Sequence, residues 1–327
     1  MNFKAPLRAT FRILACAAIA SSGTAFAQSD WPNKPVRIIA SFAPGGSSDL
    51  VARQLAQHLS TKYGQQFVVE NRAGAGGNIG VDFVAKAAPD GYIIGLATSG
   101  PLANNKSLYA KMPFDPAKDL TPIALVGEIP LVIAVNPGVK ANNLREFIAL
   151  TKSKPHPMTV SNPGNGTIGH LAVESLRMTT GARLQSIPYK GDSLAMGDAI
   201  SGSVDAVSTP VTSLLPNIEA KKLKALAVAS STRFRNLPDV PTAKEQGINL
   251  EAGVWSALVG PAKLPPAIVA SLNAEVNKFT TSLEGKAKLT MLGMTPISGS
   301  PAQLSSMMTT EAAKWKRVVE SAKISLD

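Results

Sequence analysis

The residues best placed to do chemistry in this chain lie between Ser161 and His170, where the sequence reads SNPGNGTIGH. The apolar stretch Met158 to Val160 predicts a strand that leads into this loop, and Thr167 is a candidate N-cap for the helix that follows. The first turn of a helix carries unpaired backbone N–H groups and the positive end of the helix dipole, so it attracts anions. The stretch therefore predicts a binding site for a carboxylate or phosphate that needs no cationic side chain.

A second loop of the same design lies nearer the start of the chain. The predicted strand Val36 to Phe42 leads into the loop APGGSSD, residues 43–49, and then into a helix that ends near Gly64. Either loop alone is equally well explained as an ordinary strand-to-helix turn, which uses Gly and Ser for its geometry. The presence of two such loops favours a pair of anion-binding sites, one in each half of the protein.

Two further loops follow predicted strands and qualify as cleft residues. Thr98-Ser99-Gly100 would reach the carboxyl-end crevice where open α/β sheets bind ligands, although Ser and Gly are common in any such loop. Tyr189-Lys190-Gly191 offers a phenol and an ammonium group at another strand end. Asp205, by contrast, is expected to hold a neighbouring loop. The glycine-rich segment Asn71 to Gly80 lacks the G-x-G-x-x-G spacing, which favours a tight strand-to-helix connection over a dinucleotide site.

Apolar β-branched runs alternate with helical patterns along the rest of the chain, which indicates an α/β architecture with mostly parallel sheets. The predicted strands are Val36 to Phe42, Phe67 to Glu70, Tyr92 to Thr98, Leu131 to Val135, Met158 to Ser161, Leu184 to Ile187, Val204 to Ser208, Ala225 to Ala229 and Trp255 to Val259. Helix starts are predicted at Asn143, Thr242 and Ser300, each with Glu or Gln three residues later.

The first 27 residues have the pattern of a cleaved secretory signal peptide. Basic residues precede a short apolar run, 13–20, and a small-x-small site at Ala25-Phe26-Ala27. The run is too short to span a bilayer. Cys16, the only cysteine, leaves a lipoprotein alternative, but the apolar stretch continues past it. We therefore predict an exported chain that begins at Gln28 and has no disulfide and no Cys-based metal site.

The composition restricts the class of partner. The net charge is +11, and loss of the three basic residues in the leader would leave +8. Basic residues are scattered and aromatic residues make up 5% of the chain, so no basic and aromatic stripe suggests nucleic acid. A small anionic ligand suits this charge better. The length of the mature chain favours two domains.

The usual catalytic motifs are absent from the sequence. It contains no G-x-S-x-G elbow, no H-E-x-x-H and no P-loop, and its only histidines are His58, His156 and His170. His170 lies in the first turn after the glycine loop, where orienting the loop and contacting a ligand are equally good interpretations. We predict a binding protein without a cofactor. The alternative is a secreted α/β hydrolase or isomerase acting on a small organic acid, with His170 as its base.

The chain also resembles a known family over nearly its whole mature length. It is similar to the Bug family of extracytoplasmic solute receptors, the binding components of tripartite tricarboxylate transporters. The segments that carry the resemblance, in family order, are FAPGGSSDLVAR (42–53), NRAGAGGNIG (71–80), PDGY (89–92), GNGTIGHLA (164–172), PYKG (188–191) and LPDVPTAKEQG (237–247). Ala43 and Ala73 stand where the family often has proline, and Ser48 replaces a common threonine.

The resemblance implies a type II periplasmic binding protein fold, with two α/β lobes and a ligand cleft between them. The first lobe would comprise residues 28–126 and 248–327, and the second residues 127–247. A ligand carboxylate would be held by loop backbones and waters. The family's pocket maps onto Phe42, Pro44, Gly45, Gly46, Ser47, Asp49, Thr98 and Ser99 in the first lobe, and onto Gly164, Gly166, Thr167, His170, Tyr189, Lys190 and Gly191 in the second.

The function implied is a periplasmic receptor that captures a small carboxylate and delivers it to the integral membrane subunits of a tripartite tricarboxylate-type transporter. The resemblance also implies a monomer that closes on its ligand by hinge motion.

Overall fold

Short apolar strands alternate with helices along the chain, and the strands assemble into one mixed sheet. The structure is a computed structural model that describes residue 1 and residues 31–42, 44–45, 47–189 and 191–326. The expected signal peptide cleavage site, together with Ala43, Gly46 and Lys190, lies outside the described residues, so a start at Gln28 stays a prediction.

The strands are β1 (Val36–Ala40), β2 (Phe67–Asn71), β3 (Ile93–Thr98), β4 (Leu120–Val135), β5 (Met158–Asn162), β6 (Leu184–Pro188), β7 (Ala206–Pro210), β8 (Lys224–Val228), β9 (Gly253–Pro261) and β10 (Thr295–Pro296). The helices are α1 (Ser47–Tyr63), α2 (Asn78–Ala85), α3 (Asn105–Leu108), α4 (Pro116–Asp119), α5 (Leu144–Ser153), α6 (Ile168–Thr180), α7 (Asp192–Ser201), α8 (Val211–Glu219), α9 (Pro266–Thr281), α10 (Leu283–Met291) and α11 (Pro301–Ala322). Single turns at Ala75–Gly77 and Lys244–Gln246 are 3₁₀, and Gly100–Asn104 forms a π-helical turn.

The sheet has two halves that share the long strand β4. Its order is β2-β1-β3-β9-β4-β7-β5-β6, with β8 and β10 also paired to β4. In the first half, β1 pairs in parallel with β2 and β3, and β9 is antiparallel to β3 and to the first part of β4. In the second half, β5 is parallel to β6 and β7, while the last five residues of β4 pair antiparallel with β7. The α/β architecture predicted from the sequence is confirmed, but the sheet is mixed rather than mostly parallel, because β4 and β9 run antiparallel to their neighbours.

All nine predicted strands are present, with ends shifted by a few residues. The largest difference is β4, which begins at Leu120 rather than Leu131. Pro122, Gly127 and Pro130 lie in the part that was missed, and such residues weaken a strand pattern. The pairing register of β4 with β9 shifts beside Pro122 and again before Gly127, as expected where a strand accommodates irregular residues.

The C-terminal helix α11 packs against both halves of the sheet. Leu304 and Met308 belong to the apolar core beside β3 and β9, whereas Trp315 and Val319 belong to the core around β5 and α6. The residue bounds of the two lobes stay a prediction, because the core runs continuously through β4. Within the described residues, none of the helices combines the length and apolarity needed to cross a membrane.

Two of the three predicted helix caps are confirmed, whereas Thr242 precedes only the 3₁₀ turn Lys244–Gln246. Asp205 holds the neighbouring strand β5 rather than a loop. Asn143 accepts a hydrogen bond from the Glu146 N–H at 2.9 Å, and Ser300 forms a capping box with Gln303. The Asp205 carboxylate accepts hydrogen bonds from the Thr159 N–H at 2.7 Å and the Thr159 hydroxyl at 2.9 Å, which ties the start of β7 to β5. These residues hold the framework on which the loops at the strand ends are built.

Candidate functional site

A cavity of about 400 Å³ lies where the carboxyl ends of β1, β3, β5 and β7 meet. Both halves of the sheet contribute to it, and this is the edge at which α/β sheets usually bind ligands. Its lining residues are Phe42, Ser48, Gly76, Thr98, Ser99, Gly100, Asn104, Asn105, Tyr109, Pro163, Asn165, Gly166, Thr167, Ile168, Gly169, Asp192, Pro210, Val254 and Leu326.

The wall from the first half presents hydroxyl and amide groups. Ser48 is 6% exposed and Asn104 is 3% exposed, yet neither the Ser48 hydroxyl nor the Asn104 carbonyl oxygen has a hydrogen-bond partner among the described residues. Thr98 and Ser99 are buried beside them at the end of β3. An unpaired buried polar group destabilises a folded protein, so these atoms indicate a site that a polar ligand or water completes.

A contact between two loops fixes this wall. The Asn105 side-chain NH₂ donates to the Gly76 carbonyl at 3.1 Å and to the Asn78 side-chain oxygen at 2.7 Å. Gly76 has a φ of 62°, and a Cβ there would lie 3.1 Å from the Tyr109 hydroxyl oxygen. The glycine-rich segment is therefore a tight connection into α2, as predicted, and one glycine of that segment lines the cavity.

The wall from the second half is the start of α6. Thr167 caps this helix: its hydroxyl donates to the Gly164 carbonyl at 2.7 Å and accepts weakly from the His170 N–H at 3.4 Å. Ile168 and Gly169 form the first turn and line the cavity. Backbone N–H groups in the first turn have no partner within the helix, so they are available to an anion in the cavity.

Gly169 allows this helix end to approach β7 closely. A Cβ at Gly169 would lie 2.4 Å from the Ser208 carbonyl oxygen, a backbone atom that cannot move aside easily. Gly166 has a φ of 71°, and a Cβ there would lie 2.8 Å from Leu326 Cδ1 and 3.2 Å from Leu108 Cδ1. Both positions need glycine, one for space and the other for backbone conformation and space.

His170 orients the loop and does not line the cavity. Its Nδ1 accepts a hydrogen bond from the Gly166 N–H at 3.1 Å, and its Nε2 lies 3.9 Å from Glu174 Oε1. Burial lowers the pKa of His170, and the Glu174 carboxylate opposes that shift in part. The geometry therefore favours the orienting interpretation of this residue over direct contact with ligand.

Asp49 organises the first loop in the same way. Its carboxylate accepts hydrogen bonds from the Gly45 N–H at 3.0 Å, Arg53 Nε at 2.9 Å and the Asn71 side-chain NH₂ at 2.9 Å. Burial raises the pKa of Asp49, but the hydrogen bonds outweigh it and the net shift is downward. Pro44 and Gly45 are exposed, and Ser47 begins α1. Pro44, Gly45 and Asp49 do not line the cavity.

The remaining predicted residues tie the second pair of loops together. The Tyr189 hydroxyl donates to the Asp198 carboxylate, and the Gly191 N–H donates to the Pro163 carbonyl at 2.9 Å. A Cβ on Gly164 would lie 3.2 Å from the Tyr189 carbonyl oxygen. Gly164, Tyr189 and Gly191 therefore stand behind the lining residues. Gly46 and Lys190 lie outside the described residues.

Five of the predicted residues thus come together around the cavity: Phe42, Thr98, Ser99, Gly166 and Thr167. Sequence reasoning missed the pair Asn104 and Asn105, which follow Thr98-Ser99-Gly100 closely enough to have been included. It also missed Asp192, which directly follows the predicted Gly191, and Val254 and Leu326, which arrive from distant parts of the chain. Among the residues that the structure describes, no group of three or more His, Cys, Asp or Glu side chains is arranged to hold a metal ion.

Comparison with known proteins adds a family and several relatives. The family model described as "Tripartite tricarboxylate transporter family receptor" matches residues 51–324. Protein BugT of Bordetella pertussis is 38% identical over 291 residues, which cover 88% of this chain and 89% of that protein. A UPF0065 protein of Pseudomonas sp. strain P51 is 34% identical over 313 residues, which cover 94% of this chain and 93% of that protein.

Solved structures of similar proteins agree with the family indicated by the sequence comparisons. R. palustris Rpa4515 with adipate superposes with a TM-score of 0.78 at 33% identity, covering 90% of this chain and all of that one. MatC (Rpa3494) from Rhodopseudomonas palustris with bound malate has a TM-score of 0.72 at 30% identity, with coverages of 88% and 100%. The fold of this chain is therefore that of proteins solved with small dicarboxylates.

Proposed function

From the premise that this chain belongs to the tripartite tricarboxylate transporter receptor family, we propose that it captures a small carboxylate in the cavity between its two halves. The family and the fold make it a solute-binding receptor of the periplasmic type. The observation that carries the proposal is the first turn of α6, where Ile168 and Gly169 line the cavity, opposite the Ser48 hydroxyl, which has no hydrogen-bond partner among the described residues. The relatives solved with adipate and malate support a carboxylate as ligand.

The proposal assigns direct contacts to the lining residues and supporting roles to the others. The carboxylate accepts hydrogen bonds from the α6 N–H groups and from the hydroxyls of Ser48 and Thr98. Pro44, Gly45, Asp49, Gly164, His170, Tyr189 and Gly191 act on the ligand through the loops that they shape, and Gly46, Ser47 and Lys190 stay proposed pocket residues. The receptor works as a monomer, closes by hinge motion about β4 and β9, and passes its ligand to membrane subunits of a tripartite tricarboxylate-type transporter.

We also propose that the chain has no catalytic activity. A hydrolase or isomerase would need a general base in contact with its substrate. Both ring nitrogens of His170, the base that the enzyme alternative requires, face protein atoms, and His170 does not line the cavity. Incubating the purified protein with its acid and following the acid by mass spectrometry tests this: the acid should be recovered unchanged. Turnover that is lost in a His170→Ala variant would favour the enzyme alternative.

The ligand experiment combines native mass spectrometry with calorimetry. Protein purified from its periplasmic fraction is expected to carry a small organic acid, and adipate and malate serve as probes for the stripped protein. Saturating ligand should raise the melting temperature, because binding to the folded state stabilises it. A folded protein that carries no acid and responds to neither probe would argue against a carboxylate receptor. The tightest acid found is called the reference acid below.

Loss of the Thr167 cap should have a moderate effect. Thr167→Ala removes the hydroxyl that bonds to Gly164 and His170, at a cost of about 1 kcal/mol. We expect the reference acid to bind about fivefold more weakly by calorimetric titration. Ser300→Ala removes an equivalent cap from α11, away from the cavity, and should reduce stability without changing affinity. Equal affinities for both variants would show that the start of α6 does not bind the anion.

Ser48→Ala should separate binding from stability. A hydrogen bond to a charged group contributes about 1.5–3 kcal/mol, so affinity for the reference acid should fall about tenfold or more. The free energy of unfolding of the empty protein should stay equal or rise, because the lost hydroxyl is buried and no described residue bonds to it.

Ser60→Ala is the matched control, because Ser60 lies on the same helix but its hydroxyl accepts from the Phe67 N–H at 2.8 Å. That change should reduce stability and leave affinity intact. If Ser48→Ala also reduces stability and leaves affinity intact, Ser48 is a framework residue and not a ligand contact.

A further inference from the structure

Asp192 is the one charged side chain among the described residues that line the cavity. It is the first residue of α7, directly after the loop that holds Tyr189 and Gly191, and so it belongs to the wall from the second half. The rest of the described lining consists of neutral polar groups, glycines and apolar side chains. A ligand that fills the cavity therefore meets one carboxylate and no described cation.

The Asp192 side chain is held in place on one side only. One of its oxygens, Oδ1, accepts a hydrogen bond from the Thr209 hydroxyl, and Thr209 is fully buried at the end of β7. The other oxygen receives no hydrogen bond from any described residue. A carboxylate fixed by one oxygen, with the second one open, is a preorganised acceptor for a donor group on a ligand.

Asp192 also lies where the cavity meets a second one. A neighbouring cavity of about 460 Å³ shares Asp192, Pro210 and Val254 with the first. Its other lining residues are apolar (Leu50, Ile129, Leu215, Phe234, Met291 and Leu292) or small or polar (Thr212, Ser213, Asn236, Thr290 and Gly293). The first turn of α6 and the Asp192 carboxylate of α7 therefore offer one ligand two different polar contacts, with apolar surface beside them.

We infer that the preferred ligand is a carboxylate whose other polar group donates a hydrogen bond, as a hydroxyl or an ammonium does, and is not a second carboxylate. This inference rests on the proposed function, since it assumes that the first carboxylate binds at α6. Two like charges in a cavity of low polarity repel each other, and a neighbouring acceptor rejects a ligand that has no donor to offer. The ligand class then differs from adipate, which has no donor, and from malate, which has a hydroxyl donor but also a second carboxylate.

Calorimetric titration with two matched series of acids tests this inference. The six-carbon series is hexanoate, 6-hydroxyhexanoate, 6-aminohexanoate and adipate, and the four-carbon series is butanoate, 4-hydroxybutanoate, 4-aminobutanoate and succinate. In at least one series, the hydroxy or amino acid should bind about tenfold or more tightly than the dicarboxylate.

Two variants locate the effect. Asp192→Asn should improve binding of the dicarboxylate by about tenfold and weaken binding of the amino acid. Glu219→Gln removes a negative charge from an exposed position at the end of α8 that does not line the cavity, so the ranking should not change.

The outcomes distinguish the inference from the proposed function. If dicarboxylates bind to the wild type at least as tightly as the donor-bearing acids, or if Asp192→Asn leaves the ranking unchanged, the inference is wrong and the carboxylate receptor stands. If no acid of either series binds to a protein that binds its reference acid, the inference is wrong and the carboxylate receptor stands; if the reference acid does not bind either, both are contradicted.

Discussion

A Gly166→Val variant should fail to bind its ligand. Gly166 has a φ of 71°, a conformation that a β-branched residue avoids, and the new side chain would collide with Leu326 and Leu108. The loop would have to move, and it carries the Gly166 N–H that His170 holds and the cap that starts α6. We expect calorimetric titration with the reference acid to show at least a hundredfold loss of affinity, about 2.7 kcal/mol.

Gly181→Val is the matched control for this prediction. Gly181 ends the same helix, has a φ of 66°, and has no atom within 4 Å of the position of a Cβ. The control should share the destabilisation caused by backbone strain but retain wild-type affinity. Gly166→Ala, which adds a smaller side chain, serves if the valine variant does not fold. Normal affinity in the Gly166 variants would contradict a binding role for this loop.

Glu128→Gln should stabilise the protein above neutral pH. Burial raises the pKa of Glu128 from its ordinary value of 4.5 to about 7, with further upward shifts from Glu311 and Glu251 and a partial opposing effect of Lys314. The folded protein then keeps this proton at pH values where the unfolded chain has lost it. The free energy of unfolding therefore falls as pH rises from about 4.5 to about 7, and above that range the ionised group destabilises the fold.

Chemical denaturation at pH 5 and pH 8 measures the effect. The shift corresponds to at most about 3 kcal/mol, so Glu128→Gln should gain up to that amount at pH 8 and little at pH 5. Glu219→Gln, at an exposed position, should show no such difference. A Glu128→Gln variant that is less stable than the wild type at pH 8 would mean that the carboxylate makes a favourable contact in the folded state.

The sequence predicted the loops of the site better than the roles of their residues. Gly and Pro mark where each strand ends, and these local signals gave the start of α6 and its Thr167 cap correctly. These local signals do not show whether a polar side chain forms its hydrogen bonds with the ligand or with another part of the protein. His170, Asp49 and Tyr189 have the side chains of ligand contacts, but each is engaged by a neighbouring loop or helix residue.

Other residues of the site come from parts of the chain that are far from the predicted loops in sequence. Leu326 and Val254 reach the cavity only because the C-terminal segment and β9 pack back against the sheet, and no local pattern near them indicates a ligand. The first part of β4 escaped prediction because its prolines and glycine suppress the strand signal, although pairing with β9 stabilises it. Tertiary contacts decide such features, and a single sequence does not record them.

We propose that neutral donors at the start of α6 hold the ligand carboxylate, and the effect of salt on affinity tests this proposal most directly. Titrations of the wild type and Lys190→Ala with the reference acid would be compared at low and high sodium chloride. Donors inside a closed cavity are screened little, so we predict that neither salt nor Lys190→Ala changes the Kd by more than about threefold. A point charge at Lys190 would instead make binding at least about tenfold weaker in high salt and weaker still in the variant. Such salt-dependent binding, together with normal binding by Gly166→Val, would contradict a ligand carboxylate held by the start of α6.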